Sequence, residues 1–129
     1  MTVLTAALLG VMTGLHTATW GAYKDSPFEG FKWPSFLRSV LLGCGIAVAI
    51  ALTTTWTDDL HPLVLVGLVY TGERLVTEWW KTIVREDDQS AYTIPMRLGY
   101  RGRPVDNHLI RYAVGAAIVL GLVLACVAA

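Results

Sequence analysis

The sequence lacks most of what marks a soluble enzyme. It holds only two cysteines and three histidines in 129 residues. There is no Cys-x-x-Cys pair, no P-loop and no glycine-rich dinucleotide fingerprint, so the common signatures of redox dithiols and of nucleotide binding are missing. No Ser-His-Asp or Cys-His arrangement is supported either. Net charge is absent too: ten Lys and Arg balance ten Asp and Glu. Overall electrostatics therefore points neither to nucleic acid nor to an acidic partner. No basic residue precedes the first apolar run; the first is Lys24, after it. That order is the reverse of a signal peptide, and the run is expected to be a retained helix. The apolar runs show no sustained period of two, which argues against a β-barrel.

What is present is apolar. Hydrophobic residues make up 54% of the chain, with a mean hydropathy of +0.52, high for a soluble domain. Four segments reach, or nearly reach, the roughly 20 residues a helix needs to cross a bilayer. They are residues 3–22, 36–56, 60–84 and 109–128. The expected fold is an all-α membrane protein, a single polytopic domain over 1–129 with four transmembrane helices. Between the helices lie two polar segments, 23–35 and 85–108. Lys24, Lys32 and Arg38 fall in or near the first; Lys81, Arg85, Arg97, Arg101, Arg103 and Arg111 fall around the second. The short link Thr57–His61 holds Asp58 and Asp59 and no basic residue. The positive-inside rule then places both basic segments in the cytoplasm and both termini outside.

Small residues recur at every fourth position in three of the helices. Helix 1 carries Ala6, Gly10, Gly14 and Ala18; helix 4 carries Ala113, Ala117, Gly121, Ala125 and Ala129; helix 2 carries Gly43, Ala47 and Ala51. Lipid gives helices no hydrophobic reason to associate, so close backbone approach must supply the packing energy. Gly10, Gly14, Ala117 and Gly121 are thus expected to mark helix contacts, within one subunit or between subunits. Cys44 and Cys126 differ in depth by roughly 15 Å, too far apart for an intrasubunit disulfide.

The third helix is the informative one. Tyr70, Glu73, Arg74, Thr77, Glu78, Lys81 and Arg85 fall on one arc of about 140°. Leu68, Gly72, Leu75, Val76, Trp79 and Ile83 occupy the other side. Arg74 and Glu78 are spaced to pair, and Glu78 also reaches Lys81. Glu73 lies roughly 20 Å deep, as does His16 on helix 1. A carboxylate at that depth usually faces the bundle interior; two placements fit, a Glu73–His16 contact, or a helix that begins later with Glu73 interfacial and snorkelling to water. His16, Glu73 and Glu78 are the candidate acid–base residues.

The segment "TWGAYKDSPFEGFKWPSFLRS" (19–39) supplies an aromatic belt in Trp20, Tyr23, Trp33 and Phe36. Its "KDSP" is expected to end helix 1 before Pro27, and "WPS" to start helix 2, with Pro34 tolerated in the first turn. Asp25 and Glu29 are expected to dock against the arginines of the second loop. In that loop, "YTIPMRLGYRGRP" alternates apolar and polar residues, with Gly99, Gly102 and Pro104 as turn signals. Arg74, Arg97, Arg101 and Arg103 are candidates to bind a phosphate or lipid headgroup. Glu86, Asp87 and Asp88 read as a solvated helix end, not a metal site. His61 reads as interfacial. His16 and His108 differ in depth and do not suit a bis-His haem. No cofactor or metal is expected.

The size and four-helix layout invite comparison with small multidrug-resistance transporters. Helix 1 here has no membrane-embedded glutamate and the second loop is far longer, so no residue role carries over. Three functions fit the sequence. The first is a non-catalytic subunit or oligomeric component of a membrane complex with a charged cytoplasmic docking surface. The second is a membrane-embedded enzyme acting on a phosphorylated lipid or isoprenoid. The third is a small proton-coupled transporter or channel. The partners expected are the lipid bilayer, copies of the chain or other membrane subunits, and an anionic lipid headgroup, with no nucleic acid. The expected location is a bacterial or archaeal cytoplasmic membrane.

Overall fold

The computed structural model of the chain describes residues 1–53, 60–86, 90 and 96–128, the side chain of Glu29 excepted. These form helices α1 (Val3–Glu29), α2 (Trp33–Thr53), α3 (Pro62–Trp79) and α4 (His108–Ala128). Helix α3 runs on into a π-helical turn, Trp80–Val84, and two short strands, β1 (Gly99–Tyr100) and β2 (Arg103–Pro104), precede α4. Three helices, α1, α2 and α4, are long and apolar enough to cross a membrane. Helix α3 falls short on composition, because its 18 residues include Glu73, Arg74 and Glu78. The chain divides into two compact units, Met1–Thr77 and Glu78–Ala129.

Helix α1 starts where Thr2 caps it: the Thr2 Oγ1 accepts from the Thr5 amide at 3.2 Å. The expected stop before Pro27 is corrected, since α1 continues through Pro27 to Glu29. Proline costs a helix one hydrogen bond and a clash with the carbonyl four residues earlier. So near the end, that loss disturbs only the last turn. The terminator is Gly30, at φ 69°, whose amide bonds back to the Ser26 carbonyl at 2.9 Å. Glycine takes that left-handed conformation without a Cβ penalty. The first polar connection is therefore residues 30–32 and not 23–35. Around it, Phe31, Trp33 and Phe36 pack ring on ring, with centroids 5.1 to 6.0 Å apart. Trp20, Tyr23, Phe28, Phe31 and Trp33 are all exposed, as aromatics at a membrane interface are.

In the first unit, α1 and α2 meet through their backbones. A Cβ on Gly10 would stand 2.5 Å from the Gly43 carbonyl oxygen and 2.6 Å from the Ala47 Cβ. One on Gly14 would stand 2.6 Å from the Ser39 oxygen, and one on Gly43 would stand 2.6 Å from the Gly10 oxygen. Ala6, Gly10, Gly14 and Ala18 are buried along the whole stripe. Such closeness gains dispersion energy at many atom pairs, the packing term available inside lipid. Leu65 and Val69 of α3 join Ala6 and Ala47 in an apolar core, flanked by Leu9, Ile46 and Ile50.

In the second unit, α4 packs its first turns on the end of α3. A Cβ on Gly115 would lie 2.9 Å from the Ile83 Cγ2 and 3.2 Å from the Trp79 Nε1. The alternating strip of the second loop closes as a hairpin with Gly99 opposite Pro104 and Tyr100 opposite Arg103. Its two-residue turn has Arg101 at φ 52° and Gly102 at φ 78°, the type I′ arrangement whose twist matches the strands. The hairpin is tied down by the Leu98 amide, which donates to the Thr82 carbonyl at 2.9 Å.

Candidate functional site

The interior of the first unit changes chemistry along its length. On α3, the buried residues are Leu65, Val69, Glu73 and Thr77, one per turn. The stripe begins apolar and ends polar. On α1 the polar buried residues are Thr13 and Thr17, and on α2 the polar one is Ser39. Each polar residue lies about 10–18 Å along its own helix from the apolar core residue Ala6, Ala47 or Leu65. A dry core thus passes into a band of hydroxyls and one carboxylate.

Glu73 is 2% exposed. No hydrogen bond or ion pair among the described residues reaches its carboxylate. The hydroxyl hydrogens of the three buried threonines are already committed. Thr13 Oγ1 donates to the Leu9 carbonyl at 2.8 Å, Thr17 Oγ1 to Gly14 at 3.0 Å, and Thr77 Oγ1 to Glu73 at 2.9 Å. What these threonines still offer is lone pairs. Carboxylate and hydroxyl lone pairs together accept hydrogen bonds and donate none, which suits a proton or a cationic group.

His16 does not meet Glu73 in a hydrogen bond or ion pair among the described residues. It is exposed, one position before Thr17 and so rotated about 100° from it on the helix. Its ring lies instead against Tyr70, centroids 6.1 Å apart. Arg74 places its Cζ 5.8 Å from the centroid of the same Tyr70 ring, a cation–π contact. His16, Tyr70 and Arg74 thus form one aromatic and cationic group on the exposed and half-buried flank. Glu78 is exposed. Asp25 is half-buried near the end of α1, while the Glu29 side chain lies outside the described residues.

The candidate anion-binding arginines of the second unit have different surroundings. Arg97 is held to Asp106 at 3.6 Å, with its own side chain 13% exposed. Arg101 and Arg103 are exposed on the hairpin, and Arg101 lies over the Tyr100 ring at 5.3 Å. The small residues of α4 are not used as those of α1 are. Ala117 is exposed, and nothing lies within 4 Å of a Cβ on Gly121. Among the described residues of the second unit those two positions make no helix contact. Both cysteines are free thiols. Asp58, Asp59, Asp87, Asp88, Ala129 and the threonines at 54, 55 and 57 lie outside the described residues.

Sequence reasoning passed over Arg111, which read as an ordinary cytoplasmic charge. It is 2% exposed. Its Nη1 donates to the Arg85 carbonyl at 3.3 Å and its Nη2 to Glu86 Oε1 at 3.1 Å. The spacing to Gly115, one turn on along the same face, was the available signal. No family model, curated protein or solved structure matches the chain.

Proposed function

We propose that the chain is a small integral membrane component, non-catalytic, that assembles with copies of itself or with other membrane subunits through α4. The observation that carries this reading is the contrast between two small-residue stripes. Helix α1 spends its stripe on backbone contact with α2. Among the described residues of its own unit, helix α4 buries only Arg111 and Gly115, and its small residues Ala117, Gly121 and Ala125 stay open. A helix with an open small face gains packing energy when a second helix closes on it.

In this reading α3 is a fourth span. The burial of Glu73 supports it, because the carboxylate that lowers the apolarity of α3 is turned away from lipid. Both termini then face outward, and the basic segments face the cytoplasm of a bacterial or archaeal cell. The exposed Arg101 and Arg103, with Tyr100, belong to the charged docking surface there. The test is Gly121→Leu. Nothing lies within 4 Å of that site, so the chain itself has room for the side chain and only assembly should suffer. Intact assembly in the variant would rule out this face.

A second reading has its own observation. The buried Glu73, whose carboxylate has no partner among the described residues, fits a proton relay in a small transporter. Glu73→Gln should then abolish proton flux in proteoliposomes while the helices stay folded. Flux equal to that of the unaltered protein would remove Glu73 from such a path.

A further inference from the structure

We propose that Arg111 and Trp79 form the donor half of a binding site for a phosphate group, supplied by a lipid headgroup or as free phosphate. The site is independent of how α4 assembles. It starts from an imbalance. A guanidinium that is 2% exposed needs a full set of acceptors. Among the described residues Arg111 has one backbone carbonyl, one carboxylate oxygen and no acceptor at Nε. Its anionic partner, Glu86, is 67% exposed. The exposed Glu86 carboxylate hydrates readily on leaving, whereas the buried guanidinium must keep an anion, so Glu86 is the partner that another anion can replace.

A second buried donor lies beside it. The Trp79 indole Nε1 has no acceptor among the described residues. It stands 3.2 Å from where a Gly115 Cβ would be, one turn from Arg111 on the same face of α4. The absent side chain at Gly115 is what lets the indole approach. The helix end does not contribute donors, since Asn107 Oδ1 already accepts from the Leu109 and Ile110 amides. A planar guanidinium and an indole N–H offer donors only. They select a ligand that only accepts and that carries negative charge, which describes a phosphate oxyanion. Arg111 sits in the first turn of a helix able to span the membrane, the level of lipid phosphates and of interfacial tryptophan. Glu86 occupies the ligand's place until the ligand binds.

This arrangement predicts a sign that a purely structural ion pair does not. Native mass spectrometry of the full chain in detergent would be run with phosphatidylglycerol and, separately, with inorganic phosphate. Glu86→Gln removes the competitor, so bound adduct should rise by about tenfold. Arg111→Gln should abolish the adduct. Asp106→Asn, which removes an equal charge next to Arg97, should change it little. A rise with phosphatidylglycerol alone makes the source a lipid headgroup; a rise with inorganic phosphate as well makes it any phosphate. Should Arg111→Gln not fold, Glu86→Gln decides by itself. Unchanged or weaker binding of both probes in Glu86→Gln overturns the site. So does an equal rise in Asp106→Asn, which would reduce the effect to net charge.

Discussion

Replacing Gly10 by alanine tests the backbone contact on which the first unit rests. The new methyl would stand 2.5 Å from the Gly43 oxygen, 2.6 Å from the Ala47 Cβ and 2.9 Å from the Cys44 Cα. Two of those atoms belong to the α2 backbone and the third is a Cβ fixed to it, so no side chain can swing aside. Helices α1 and α2 must separate, and overpacking of this kind costs about 1–3 kcal/mol. Against it stands the gain in helix propensity of alanine over glycine, about 1 kcal/mol. Gly45→Ala on α2 isolates that gain, because nothing lies within 4 Å of its Cβ. The difference between the two variants then measures the clash, about 1–3 kcal/mol. Reversible unfolding in mixed micelles, followed by tryptophan fluorescence, gives both values. Equal stability of the two variants, or a more stable Gly10→Ala, would refute the contact.

Other outcomes follow from the same geometry. Glu73→Leu should leave stability unchanged or raise it by ~1 kcal/mol, since an unpartnered buried polar group costs energy; a loss above ~3 kcal/mol in the same unfolding assay is the signature of a broken buried pair and would contradict the account of Glu73. Arg101→Asn should strengthen the hairpin by roughly 0.5–1 kcal/mol, because Asn-Gly accepts the two positive φ angles that the arginine holds at a cost. Slower amide exchange at Leu98 and Val105, whose amides anchor the hairpin, would show it, and faster exchange would mean another turn geometry. Gly115→Val should loosen α4 from the end of α3, since even a Cβ meets Ile83 at 2.9 Å; hydrogen exchange confined to residues 79–86 and 108–115 reads the effect, and unchanged protection would deny the contact.

Periodicity made Glu73 and Thr77 legible on the inward face of α3, but not the whole stripe: Glu78, read on the same arc, is exposed, and Ile83, read on the other side, is buried. It also made the start of α2 legible, where Pro34 can sit only in a first turn. The end of α1 was not legible: Pro27 and Gly30 are both breakers, and which one wins depends on how few residues remain after the proline. His16 failed on azimuth rather than depth. Depth follows from counting residues, whereas the rotation that sends His16 to Tyr70 depends on where Gly10 and Gly14 lock onto α2. The role of Arg111 rests on a carbonyl 26 residues away, and no local pattern announces such a partner. Helices α1 and α4 carry the same small-residue spacing, yet within its own unit the first stripe is closed and the second is open among the described residues. That outcome is set by the facing surface, which spacing alone does not encode.

The central claim is assembly through the open face of α4. Native mass spectrometry of the protein released gently from its own membranes, as the unaltered chain and as Gly121→Leu, tests it most directly. The account predicts a complex of fixed stoichiometry for the unaltered chain, with itself or with other polypeptides, and its loss in Gly121→Leu while the 14.1 kDa chain remains folded. Release of the unaltered protein as a single chain under every gentle condition, or a complex indifferent to Gly121→Leu, would contradict it.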